Sequence, residues 1–148
     1  MPKIKRPMAR DLFHYNVREA LEKESWHITN DPLRIPIDGS HLEIDLAAEM
    51  VFGAERGGIE IAVEVKSFLS KSFMNNFHEA MGQYLDYRSA LEDFEPNRLV
   101  YLAIPVSARN HYLFQGRFIQ KRLREEAVKL IIFDPLQNII IEWIEQLK

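Results

Sequence analysis

The chain has 148 residues, of which 47% are hydrophobic and 28% are charged. This balance excludes a disordered chain, and the length predicts one globular domain that spans residues 1–148. The formal net charge is −3, which argues against a protein that coats nucleic acid through bulk positive charge.

The sequence has no apolar run near the ~20 residues that a bilayer-spanning helix needs. Its basic start lacks the apolar segment of a secretory signal, and there is no cysteine for a disulfide or a thiolate site. We therefore expect a cytoplasmic protein without a membrane partner.

The first part of the chain predicts one helix followed by short strands. Apolar residues at helical spacing predict a helix over residues 11–24, with Asp11 at its amino-terminal end. A short strand over residues 26–29 ends in a turn at residues 30–32, and Asp38-Gly39 marks a second turn. The next strand begins near residue 41 and is expected to continue to about residue 55.

A strand over residues 59–66 follows, and its two-residue period is the clearest pattern in the sequence. One face of this strand is aliphatic, and the other carries Glu64 and Lys66. Two glycines, at positions 57 and 58, separate it from the preceding strand, which indicates a hairpin. The hairpin would bring Asp45 opposite Glu64 and Lys66.

The remainder predicts helices over residues 74–93 and 112–126 and strands over residues 99–104, 129–133 and 139–143. The strand at residues 99–104 is apolar throughout, so we expect it in the centre of the sheet. A right-handed crossover would make it parallel to the strand that carries Glu64. The order of elements predicts an α/β fold in which helices flank a mixed β-sheet.

Asp45, Glu64 and Lys66 together have the chemistry of a metal-dependent hydrolytic site. Mg²⁺ and Mn²⁺ take oxygen ligands, which the carboxylates of Asp45 and Glu64 and the main-chain carbonyl of Val65 can supply. The side chain of Lys66 can orient the attacking water and, as the neutral amine, deprotonate it, and as an ammonium it can offset charge on a scissile phosphate. The sequence therefore predicts Asp45, Glu64 and Lys66 as catalytic residues, with Asp45, Glu64 and Val65 as metal ligands.

The alternative interpretation of Glu64 and Lys66 is a solvated pair of opposite charges, which would contribute less than ~1 kcal/mol. Two features favour a site. The neighbours Ala47 and Ala62 are small and leave room for a ligand. An unpaired charge on a central strand is also energetically unfavourable, because it is removed from water. Charged residues at such a position therefore indicate a functional role.

Three further residues can support this site. Gln83 and Tyr87 lie four positions apart, hence on one face of the predicted helix over residues 74–93. Gln83 can hydrogen-bond a phosphate or a water, and Tyr87 can donate its hydroxyl or stack on a base. Glu19 can add a carboxylate from the first helix. Ordinary polar positions on amphipathic helices are the alternative for all three residues.

Two clusters of basic residues could form local positive surfaces, although a solvated helix face or tail is the favoured interpretation of each cluster taken alone. They comprise Lys3, Lys5, Arg6 and Arg10 near the start, and Arg117, Lys121, Arg122 and Arg124 in the third predicted helix. The five histidines lack zinc-binding spacing, and the sequence contains no glycine-rich nucleotide-binding loop. Zinc and nucleotide cofactors are therefore not indicated.

The chain resembles the PD-(D/E)XK nuclease superfamily in the order of its elements. A helix is followed by a strand with Asp45, then by Glu64-Val-Lys66, and then by a helix with Gln83 and Tyr87. Nearly the whole chain is similar to the cyanobacterial XisH family, the fdxN-element excision-controlling factors. The matching segments are DLFH at 11–14, ALEK at 20–23, WHITNDP at 26–32, IDL at 44–46, IAVEVKSF at 61–68, AMGQY at 80–84, YR at 87–88, YLAIP at 101–105 and FDP at 133–135.

This resemblance implies a restriction-endonuclease-like fold and places Asp45, Glu64 and Lys66 at the superfamily's catalytic positions. The proline that names the superfamily motif is absent, because Ile44 precedes Asp45. The resemblance also implies that the protein acts on DNA, with an XisI-like partner protein, to control excision of a DNA element by a separate site-specific recombinase.

Two functions remain open at this point. The first is a Mg²⁺-dependent enzyme that assists excision by phosphodiester hydrolysis. The second is a non-catalytic DNA- or protein-binding accessory factor on a nuclease scaffold, which recruits its partner or the recombinase. A purely structural subunit of a homo-oligomer is a third, weaker alternative.

Overall fold

The structure, a computed structural model, describes residues 11–51 and 58–145. The helices are α1 (His14–Lys23), α2 (Phe73–Phe94), α3 (Val106–Arg109), α4 (Tyr112–Gln115) and α5 (Arg117–Glu125). The strands are β1 (His27–Asn30), β2 (Leu33–Ile37), β3 (Ser40–Ile44), β4 (Leu46–Val51), β5 (Gly58–Val65), β6 (Leu99–Pro105), β7 (Leu130–Asp134) and β8 (Ile139–Ile144).

Six strands form one mixed sheet in the order β1-β4-β5-β6-β7-β8. The pairs β5–β6 and β6–β7 are parallel, and the other neighbours are antiparallel. The predicted mixed sheet with flanking helices is therefore confirmed. The central place of β6, its parallel pairing with β5 and the β4–β5 hairpin are confirmed as well.

Both faces of the sheet are covered. Ile61, Val63 and Val65 of β5 pack into a core that includes α1, whereas Ala62 faces a second core that includes α2. The carboxyl-terminal half of β5 is thus buried on both sides, as a central strand should be. Glu64 lies in this buried half.

The prediction of one continuous strand through Asp45 is wrong. β3 pairs with β2 in a separate two-stranded sheet, and β4 begins a new strand beside β5. Asp45 is the single residue between them. β2 was not predicted, because its proline at position 36 and neighbouring turn residues obscure the alternation. Residues 52–55, where the strand was expected to continue, lie outside the described residues.

The predicted helix boundaries need two corrections. α1 begins at His14 rather than at Asp11, because Asp11 accepts a hydrogen bond from the N–H of Phe13 and closes the turn before the helix. The predicted third helix is divided into α4 and α5 at Gly116, whose backbone is extended. No helix in the described ranges is both long and apolar enough to cross a membrane.

Candidate functional site

The candidate site lies at the carboxyl-terminal end of β5, where the β4–β5 ladder stops. The last pair of that ladder joins Leu46 to Val63, so Val65 lies beyond it. The N–H of Val65 donates instead to Asp45 Oδ2 over 2.8 Å. The break between β3 and β4 therefore directs the Asp45 carboxylate to the end of β5.

The main-chain carbonyl of Val65 can reach the same place. In an antiparallel pair, a residue uses its N–H and its C=O toward the same neighbouring strand. Since the N–H of Val65 bonds to Asp45, its C=O points to the same edge of β5. The predicted third oxygen ligand is thus on the side of Asp45.

Glu64 is buried, with 5% of its surface exposed, and its Oε2 has no hydrogen-bond partner among the described residues. Burial raises the pKa of Glu64 well above its ordinary value, and the charge of Asp45 raises it further. Lys66 and the main-chain N–H of Asp45 act in the opposite direction. A buried carboxylate with an unsatisfied oxygen is costly, so this atom needs a proton or a cation.

Asp45 is also partly removed from water. Burial raises its pKa, whereas the hydrogen bond from Val65 lowers it. His14, which is buried in α1, and Lys66 lower the pKa of Asp45 as well. Asp45 and Glu64 are therefore two coupled acids that repel each other when both are ionised.

Lys66 connects the strand to α2. Its Nζ lies 3.8 Å from Glu64 Oε1 and 3.2 Å from Glu79 Oε1. Its main-chain N–H donates to the carbonyl of Ala103 on β6 over 3.0 Å. The exposed carboxylate of Glu79, which was not among the predicted site residues, thus helps to hold the ammonium beside Glu64.

Gln83 and Tyr87 lie on the face of α2 that approaches the site. Tyr87 is buried at 8% exposure, and burial, followed by the charges of Glu64 and Asp45, raises its pKa. Gln83 Oε1 is buried and has no hydrogen-bond partner among the described residues. The structure therefore places Tyr87 in the field of the two acids and leaves a second polar oxygen unsatisfied on the same helix face.

Glu19 is not brought together with these residues. It is exposed on α1, and its carboxylate accepts a hydrogen bond from Asn138 in the turn between β7 and β8. Asp11 instead contributes the nearby amino-terminal carboxylate. Asp11 Oδ2 accepts from the N–H of Ser67 over 2.7 Å, and its charge raises the pKa of both Asp45 and Glu64.

Sequence reasoning missed Asp11, His14 and Glu79 as neighbours of the site. Asp11 and Ser67 are 56 residues apart, so no local pattern connects them. Glu79 could have been found from the helix period, because it precedes Gln83 by four residues on the same face as Tyr87.

The donor set fits a divalent cation such as Mg²⁺. The unsatisfied oxygen of Glu64, the carboxylate of Asp45 and the carbonyl of Val65 are all hard oxygen ligands. The described part of the chain contains no cluster of three or more His, Cys, Asp or Glu side chains arranged for a metal. Two carboxylates suit Mg²⁺, which keeps several of its waters, better than a metal that requires an all-protein cage.

A surface cavity of about 540 Å³ lies at the other end of α2 and is lined in part by Tyr84, Arg88 and Lys129. Arg88 Nη1 donates to the carbonyl of Glu126, and its Nη2 lies 3.7 Å from the Glu126 carboxylate. The Tyr84 hydroxyl donates to Val100 and accepts from Lys129. These groups satisfy one another, and none belongs to the Asp45–Glu64 site.

Comparison with known proteins identifies relatives of this chain. The family model for the XisH protein matches residues 8–141. A crystal structure of an XisH family protein from Nostoc punctiforme PCC 73102 is 44% identical, with a TM-score of 0.80 over 90% of this chain and 99% of the other. That of an fdxN element excision controlling factor from Anabaena variabilis is 43% identical, with a TM-score of 0.80 over 91% and 99%. No curated protein gives a significant match. The chain belongs to the XisH family.

Proposed function

We propose that this protein takes part in the control of DNA-element excision and does so as a Mg²⁺-dependent phosphodiesterase. The observation that carries the enzymatic part is the unsatisfied Oε2 of buried Glu64, which lies beside Asp45 and Lys66. A buried acid in this state is stabilised by a bound cation, and a neighbouring ammonium suits an anionic substrate.

The role in excision is supported by the relatives. The Anabaena variabilis protein is named as an fdxN element excision controlling factor, and 91% of this chain aligns with it. Excision rearranges DNA, so phosphodiester chemistry or DNA binding is a consistent activity for such a factor. The order of Asp45, Glu64 and Lys66 also resembles the PD-(D/E)XK nuclease pattern, which points to the same reaction class.

Asp45, Glu64 and the carbonyl of Val65 would hold the cation. A bound Mg²⁺ would lower the pKa of its coordinated water and neutralise charge on the phosphate. Asp45 is fixed for this role by the N–H of Val65, which holds one carboxylate oxygen in place. Because burial raises the pKa of Glu64, this side chain holds a proton more readily, and it would have to lose that proton to serve as a cation ligand.

Lys66 is the charge-stabilising residue in this proposal, because its ammonium can offset negative charge on the substrate phosphate. Its side chain is 18% exposed, so its Nζ can reach a substrate while it stays beside Glu64. A phosphate that approaches Lys66 competes with Glu79 for the ammonium. Gln83 and Tyr87 then donate hydrogen bonds to the substrate from α2, where Tyr87 stays protonated because its pKa is raised.

The test is cleavage of supercoiled, branched and nicked DNA with Mg²⁺ or Mn²⁺, comparing wild type with Lys66→Ala. We expect cleavage by wild type and a loss of at least about a hundredfold in the variant. Glu19→Gln, on the exposed side of α1, is the matched control and should cleave as wild type does. Equal rates for Lys66→Ala and wild type, or no cleavage of any substrate, would contradict the enzymatic proposal.

A non-catalytic accessory factor is the second candidate. The ion pairs of Lys66 favour it, because Glu64 and Glu79 both lie within 4 Å of the ammonium and can serve a structural purpose alone. Such a factor would recruit an XisI-like partner or a site-specific recombinase to DNA. Full support of excision by an Asp45→Ala/Glu64→Ala/Lys66→Ala variant would favour this candidate over the enzyme.

A further inference from the structure

α5 presents a row of three cations to solvent. Arg117, Lys121 and Arg124 are all exposed and follow one another at spacings of four and three residues. At 100° per residue these three positions fall within roughly 60° of the helix circumference. We call them the α5 stripe.

The opposite side of α5 anchors it to the protein. Ile119 and Leu123 are buried in the same core as the helix face of α2 that carries Tyr84 and Tyr87. Their common direction is about 150° from the α5 stripe. The stripe is therefore fixed in an outward orientation by the packing of the helix.

The cations of the α5 stripe have no carboxylate partner among the described residues, unlike their neighbour Arg122. Arg122 Nη1 lies 3.2 Å from Glu126 and 3.6 Å from Glu125. Most other arginines of the described chain are paired as well, for example Arg98 with Glu60 at 3.5 Å. In a protein of net charge −3, three unpaired cations on one face are a local exception.

The α5 stripe is connected to the candidate site through α2. The ring of Phe118, which follows Arg117, lies 6.5 Å from the ring of Phe77 on α2. Phe77 is buried, whereas Glu79, two residues later, is exposed and contacts Lys66, so the two side chains leave α2 in different directions. The amino-terminal part of α5 thus contacts the same turn of α2 that borders the site, from another side of that helix.

We infer that the α5 stripe binds the phosphate backbone of duplex DNA. Seven residues of helix span about 10 Å, which is the axial length of about three phosphates of one DNA strand. Three exposed cations in a row fit a polyanion with regularly spaced charges. A small anion would instead need several side chains that point to one place. The inference rests on the proposed function, because it names DNA as the partner of that site.

The test is DNA binding without cleavage. Fluorescence anisotropy of a labelled duplex is measured in EDTA between about 50 and 200 mM salt, for wild type and Arg117→Gln/Lys121→Gln/Arg124→Gln. We expect the slope of log affinity against log salt to become less steep by about 2 to 3 in the variant, since each phosphate contact contributes about 0.9.

The control variant is Lys23→Gln/Arg34→Gln/Arg109→Gln, which removes the same net charge from α1, β2 and α3. It should keep the wild-type slope. The charge-conserving variant Arg117→Lys/Arg124→Lys should also keep it, which separates loss of charge from loss of folding. An unchanged slope in the stripe variant, or an equal change in the control, would overturn the inference.

The result is independent of catalysis, because the binding assay contains no divalent metal. Absence of DNA binding by wild type at the lowest salt would also overturn the assignment of the α5 stripe. The Lys66→Ala cleavage comparison then decides the proposed function separately. If wild type cleaves DNA and the stripe variant binds and cleaves it equally well, the enzymatic proposal is retained and the DNA-binding role of the α5 stripe is rejected.

Discussion

The N–H of Val65 donates to Asp45 Oδ2 over 2.8 Å, at the point where β4 no longer pairs with β5. A side-chain oxygen thus takes the place of a main-chain carbonyl. This substitution brings an acid to the end of a buried strand and fixes its orientation. The neighbouring residues on β5, Glu64 and Lys66, then share one small region with it.

Replacing Asp45 by alanine should lower the free energy of unfolding by about 1–2 kcal/mol. The reason is that Val65 is a buried residue, 1% exposed, and its N–H would lose its acceptor. Asp45→Asn keeps a side-chain oxygen and should remain closer to wild type. Urea denaturation measures both variants. Equal stabilities of Asp45→Ala and Asp45→Asn would show that the hydrogen bond contributes nothing.

The sequence was sufficient to predict the β4–β5 hairpin, the central β6 and the meeting of Asp45 with Glu64 and Lys66. These features depend on strand alternation and on a short connection, which are local properties. The break at Asp45 could not be predicted, because it depends on β3 pairing with β2 instead of with the main sheet.

Glu64 should make the protein less stable as the pH rises. Burial holds its folded-state pKa well above the ordinary value of 4.5, so from about that pH upward the folded protein keeps a proton that the unfolded chain has released. The free energy of unfolding therefore falls as the pH rises from 4.5 toward the raised pKa, by up to about 1.4 kcal/mol per pH unit.

Glu64→Gln should remove this contribution. In metal-free buffer the variant should be more stable than wild type at neutral pH, and the difference should shrink as the pH approaches 4.5. Thermal or urea unfolding across this range measures the effect. Glu19→Gln is the matched control, because Glu19 is exposed and glutamine can still accept from Asn138. A pH-independent difference between wild type and Glu64→Gln would contradict the assigned cause.

Tyr84 and Tyr87 should respond differently to the same substitution. The buried hydroxyl of Tyr84 donates to Val100 and accepts from Lys129, each over 3.1 Å. Tyr84→Phe should therefore cost about 1–3 kcal/mol of stability and leave the site intact.

The Tyr87 hydroxyl has no hydrogen-bond partner in the described part of the chain, yet it lies in the field of Glu64 and Asp45. Tyr87→Phe should change stability by less than about 0.5 kcal/mol. If the proposed reaction is right, it should lower DNA cleavage by about tenfold or more, because a hydrogen-bond donor to the substrate is lost. Unfolding curves and cleavage rates of the two variants test this prediction. A loss of stability in Tyr87→Phe together with a loss of cleavage in Tyr84→Phe would contradict it.

The remaining parts of the site depend on contacts that no sequence pattern encodes. Asp11 reaches Ser67 only because the turn before α1 packs on the end of β5. The expectation that Glu19 of α1 supplies a carboxylate near the acids is wrong, because Asp11 in the turn before α1 supplies it. The Glu19 side chain turns toward Asn138, which local helix geometry could not specify.

The central claim is that Asp45 and Glu64 bind a divalent cation. Calorimetric titration with Mg²⁺ and Mn²⁺ tests it most directly, on wild type, Asp45→Asn, Glu64→Gln and the control Glu19→Gln. We predict binding by wild type and Glu19→Gln, release of protons that reflects the raised pKa of Glu64, and at least about tenfold weaker binding by the two site variants. Absence of binding by wild type, or equal affinity in all four proteins, would contradict the claim.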